Sequence, residues 1–215
     1  MKRVYWSGLA VVLGSEFLLR DVILPEPASD FDIAAAFSIE WLVFLVLMVY
    51  WIPKVERQGL ESIGLGKLRR RHLWVGIGAY LLAFVAAIFS GLALEAVGLE
   101  PIRSLQPMIK EYHFLTLLGL FLTGTIVEEV FYRGYLIERL SALTGRRWLA
   151  GFASWLLFTL VHLKFFGLGP TLDVSVLSAA LVLLYLKQSS LWPCMVVHGL
   201  NGVLAYLVFP LLIKP

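Results

Sequence analysis

Long apolar runs separated by short polar clusters organise this chain. The runs fall at roughly 4–24, 33–52, 73–97, 114–137, 148–163, 172–187 and 191–212. A helix that crosses a bilayer needs about 20 largely apolar residues, so the pattern predicts about seven membrane-spanning helices. The fifth and sixth runs are short for a full crossing. Punctuation supports the spans. Pro53 is expected to end the second helix, and Ser190 followed by Trp192-Pro193 reads as a cap and first turn opening the seventh. Pro210 marks a kink near its end. Gly76, Gly78 and Ala79 in the third run, and Gly119 and Gly124 in the fourth, suit close helix contacts.

Composition narrows the class. Of 215 residues, 60% are hydrophobic and 15% charged, against about 25% charged in an ordinary soluble domain. Mean hydropathy is +0.84. Disorder, collagen and coiled coil are excluded. The expected fold is all-α, a polytopic membrane helical bundle formed as one membrane domain over 1–215. Lys2 and Arg3 ahead of the first run resemble a signal peptide. However, no small-x-small cleavage site follows, and Glu16 and Arg20 interrupt the apolar core. A single cysteine, Cys194, excludes an intrachain disulfide framework and a multi-cysteine metal cluster.

The net charge of +3 reflects loop bias rather than nucleic-acid binding. With the N-terminus cytoplasmic, the inner segments hold twelve basic residues and the outer segments five, which favours N-in, C-out. The run Lys67, Arg69, Arg70, Arg71 is then a topology determinant that can also meet lipid head groups. Asp21, Glu26, Asp30 and Asp32 fall outside. In this scheme Glu128 and His198 lie nearer the inner face, and His162 nearer the outer end of the fifth helix.

Ionisable groups within a bilayer are costly and usually functional. The fourth run contains Glu128, Glu129 and Arg133, the fifth ends in His162, and the seventh contains His198 and Asn201. Glu129 and Arg133 are spaced i, i+4 and share a helix face; Glu128 points about 100° away. A carboxylate in such a setting suits a base that holds a water and accepts its proton. A neutral imidazole can orient that water or donate to a developing oxyanion, and the Asn201 amide offers a second donor. The plainer alternatives are an interhelical ion network and ordinary core hydrogen bonds. Elsewhere, Glu40 either lines a cavity or snorkels, Glu16 and Arg20 pair at i, i+4, and Asp173 reads as a cap or interfacial residue.

Familiar hydrolase signatures are missing: there is no HExxH and no GxSxG. Cys194, one turn before His198, is more often a packed core residue than a nucleophile. A Glu/His/His zinc site is chemically reasonable, but nothing in the spacing selects metal over a metal-free water, and no cofactor is expected.

Three segments, EEVFYRG (Glu128 to Gly134), FTLVH (Phe158 to His162) and HGLNG (His198 to Gly202), resemble the CPBP family. These are CAAX-processing, glutamic-type intramembrane proteases that include the Rce1 prenyl endopeptidases and bacterial Abi proteins. The family pattern is EExxxR, FxxxH, then HxxxN or HxxxD. The resemblance covers about 114–205, and residues 1–110 carry no motif. It implies that Glu128 activates water with help from His162, that His198 stabilises the oxyanion, and that Glu129 and Arg133 support the site. The family's last Asn or Asp position is Gly202 here, and Asn201 stands one residue earlier.

The expected activity is endoproteolysis near the end of a membrane-anchored protein or peptide, in a prokaryotic inner membrane. Two other classes remain open at this level. A scaffold or bacteriocin-immunity protein would keep its function in Glu128→Gln, and an ion-coupled transporter would show flux across vesicles. The oligomeric state is not encoded in these motifs.

Overall fold

The computed structural model describes residues 1–19 and 28–212. Among them all regular structure is helical. Seven long helices follow one another: α1 (Lys2–Phe17), α2 (Asp30–Val55), α3 (Arg70–Ala96), α4 (Phe114–Thr144), α5 (Arg147–Phe166), α6 (Leu168–Gln188) and α7 (Leu191–Val208). Helices α2 to α7 are each long and apolar enough to cross a membrane. The chain is an integral, multi-pass membrane protein.

Local chemistry sets the helix ends. Ser29 and Asp32 form a reciprocal capping box at the start of α2. Asp30 and Asp32, expected in a loop, thus sit in the first turn, where acids complement the helix dipole. Gly145 closes α4 with φ +70° and lets the chain reverse into α5 within two residues. Gly167, at φ +74°, does the same between α5 and α6.

Several expected boundaries move. Pro53 does not end α2, because the helix runs on to Val55. The wider i→i+5 bonding of Leu47–Val55 accommodates the missing proline donor. Helices α5 and α6 have 20 and 21 residues and are therefore full spans rather than short ones. Gly169 and Pro170 lie inside the first turn of α6, where proline is tolerated. Ser190 takes the N-cap position with extended backbone, but its side chain makes no capping bond. The Leu191 N–H instead donates to the Gly64 carbonyl at 3.0 Å.

Helix α4 occupies the centre, touching α1, α2, α5, α6 and α7. Every residue of 127–136 is buried, so this stretch is covered on all sides. Large apolar side chains such as Trp74, Leu82 and Phe89 of α3 instead face outward, at 71%, 75% and 67% exposure. That arrangement suits lipid and would be untenable in water. Glu16 faces inward and accepts from the Tyr132 hydroxyl at 3.3 Å; its expected partner Arg20 lies outside the described residues.

Helices α3 and α7 pack closely through Gly76. A Cβ there would stand 2.6 Å from the Val196 Cβ and 3.0 Å from the Pro193 carbonyl oxygen. Gly78 has open space within 4 Å, so the expected small-residue contact belongs to Gly76 alone of the two. Gly76→Leu is expected to cost about 1–3 kcal/mol through overpacking, seen as a lowered unfolding temperature in detergent, whereas Gly78→Leu leaves it unchanged.

Candidate active site

The central helix supplies the acidic groups. Thr123–Leu136 of α4 is wound with i→i+5 bonds, a form that recurs at functional positions. Within it Arg133 meets Glu129 at 3.2 Å, both side chains fully buried. Arg133 also donates to the Ser178 hydroxyl on α6 at 3.0 Å and lies 4.2 Å above the Phe158 ring. The i, i+4 ion pair is as expected; Ser178 and the cation–π contact come from other helices and carry no signal in the local sequence. Glu128 is buried at 6% exposure.

His198 of α7 bridges the two acids. Its Nδ1 is 2.8 Å from Glu129 Oε1 and its Nε2 4.0 Å from Glu128 Oε2. The close approach uses Gly124, where a Cβ would lie 3.2 Å from His198 Nε2. A carboxylate can only accept, so Nδ1 carries a proton.

His162 sits where α5 breaks its regular winding. Its N–H donates to the Thr159 carbonyl, one residue later than α-helical bonding would take it. The Phe158 carbonyl lies 2.6 Å from His162 Nδ1. A carbonyl likewise only accepts, so Nδ1 bears the proton and Nε2 is the acceptor in the neutral ring.

Glu128, His162, His198 and Asn201 all line one cavity of about 210 Å³. The expected difference in depth is corrected by the length of α4. That helix was expected to stop near 137, yet it continues through Glu138–Thr144. Glu128 is then sixteen residues before its end, and His162 fifteen residues after the start of α5. At about 1.5 Å per residue the two lie level above the shared turn.

The rest of the cavity sorts the remaining candidates. Gly202 packs on Phe121, with a Cβ there 3.0 Å from the ring. A side chain at the family's amide position would therefore crowd that ring, although Gly202 and Asn201 both line the cavity. Glu40 of α2 lines the cavity at 2% exposure, so it does not snorkel. Cys194 is fully buried against the Leu181 carbonyl and is not among the lining residues. Asp173 does not cap α6. It lies inside α6, accepting from the Ser90 hydroxyl and from the Ile102 N–H at 2.8 Å. Among the described residues no three His, Cys, Asp or Glu side chains are grouped to hold a metal ion.

A family model described as Type II CAAX prenyl endopeptidase Rce1-like matches residues 110–204. Residues 110–204 form an Rce1-like domain. The Rce1-like domain contains all three motifs and therefore every cavity residue named from α4, α5 and α7. Its family is a protease family, which supports a hydrolase. No curated protein and no solved structure matches the chain.

Proposed function

We propose that the protein is an intramembrane endopeptidase that cleaves a peptide bond near the end of a membrane-anchored protein or peptide. The observation that carries this reading is the convergence of Glu128, His162, His198 and Asn201 on one cavity within a lipid-facing bundle. Glu128 takes a proton from the attacking water, whose oxygen adds to the scissile carbonyl. His162, an acceptor at Nε2, orients that water. His198 donates to the oxyanion from Nε2. Because Nδ1 already donates to Glu129, a ring that also donates from Nε2 is a cation, and the two carboxylates beside it, Glu129 at 2.8 Å and Glu128 at 4.0 Å, together offset the charges of His198 and Arg133. Asn201 supplies a second donor. Glu128 then returns the proton to the departing amine, so no metal or cofactor is needed in this scheme. The setting is a prokaryotic inner membrane with the N-terminus inside.

The tautomers give the test. Purified protein in nanodiscs is incubated with membrane-anchored peptides, and the products are read by mass spectrometry. His162→Ala is expected to lower kcat by about 10²-fold or more. Asn201→Ala, which removes one oxyanion donor, should cost about 10²-fold or somewhat more. Undiminished cleavage in both variants overturns the assignment.

A further inference from the structure

We propose that the cavity selects a basic side chain, arginine or lysine, of its membrane-anchored peptide, with Glu40 as the counter-ion. This rests on reading the cavity as the peptide-cleaving site and names the class of peptide it takes.

Glu40 belongs to none of the three motifs and comes from α2, outside the Rce1-like domain. It lines the cavity at 2% exposure. A carboxylate at such depth in a membrane bundle is costly to keep, and functional groups are the usual reason to keep one. The wall leans negative, with only the His162 and His198 rings among its described lining residues able to carry a positive charge. Among the described lining residues there are two carboxylates, Glu40 and Glu128, and no lysine or arginine. Arg133 is turned to Glu129 and Ser178 instead.

A second observation points the same way. Gln106, 9% exposed, also lines the cavity, and its Oε1 is buried without a hydrogen-bond partner. Its Nε2 donates to the Ala205 carbonyl at 3.5 Å, and since a carbonyl only accepts, this bond fixes which way the amide points. An orphaned buried acceptor carries an unmet desolvation cost. A ligand that supplies several donors and a positive charge answers both features. A guanidinium offers five N–H donors and an ammonium three. Apolar lining such as Phe37 and Phe121 suits the aliphatic stem that joins such a head group to the peptide.

The test compares two apolar anchored peptides that differ at one residue, arginine or its neutral isostere citrulline. Binding is measured to the full-length Glu128→Gln protein in nanodiscs, so that turnover does not intervene. The arginine peptide is expected to bind about tenfold more tightly or better. Glu40→Gln in that background should erase the difference between the two peptides. Equal affinity for the two peptides with Glu40 present overturns the proposal, as does a preference that survives Glu40→Gln. If Glu40→Gln does not accumulate, the comparison with Glu40 present decides alone, and Glu40→Asp should retain a preference. Wild-type protein that prefers arginine but cleaves neither peptide rejects the protease reading and leaves the selectivity standing.

Discussion

Glu128→Gln is expected to lower peptide cleavage by about 10²- to 10⁴-fold, the range general-base catalysis supplies, while the protein accumulates and unfolds as the wild type does. The substitution is nearly isosteric, and Glu128 is not the partner of Arg133, whose ion pair runs to Glu129 at 3.2 Å. Folding therefore loses little and chemistry loses its proton acceptor. Initial rates on an anchored peptide, set beside a thermal unfolding curve, separate the two. Full activity in Glu128→Gln removes the glutamate from the reaction. A cellular function that persists with no cleavage by either form favours the scaffold class instead.

Arg133→Ala acts on stability. The guanidinium is fully buried between Glu129, Ser178 and the Phe158 ring. Removing it takes the guanidinium from a buried carboxylate that keeps only its bond to His198 Nδ1, a loss of about 3 kcal/mol or more. For a chain of this length that corresponds to a fall on the order of 10 °C in unfolding temperature. Arg133→Lys keeps the charge but not the fork that reaches Glu129 and Ser178 together, so it should fall between the two. An unfolding temperature unchanged in Arg133→Ala contradicts a structural role for the pair.

The spans and the ionisable motif residues were legible because hydropathy and i, i+4 spacing are local signals. The end of α4 was not. Glu138 and Arg139 break the apolar run, yet the helix continues because Arg139 is itself buried, bonded to Glu56 at 2.8 Å from another part of the chain. Asp173 was misread for the converse reason. The apolar run opens at 172, whereas α6 starts at Leu168, and Asp173's partners lie on α3 and the segment after it. Ser178 had no signal at all, since a serine in an apolar helix declares nothing about the arginine across from it. Glu40 was visible as an anomaly, but α2 is apolar on every side and gave no clue to which face turned inward.

The break in α5 explains why the second motif keeps its four-residue interval. In a regularly wound helix each carbonyl already accepts from the amide four positions on, so an imidazole bonding its own backbone there has to share the oxygen. At Val161–His162 the winding tightens, and the ring claims the oxygen left behind at Phe158. Sliding the histidine by one residue in either direction would forfeit that oxygen and, with it, the choice of which nitrogen faces the reaction.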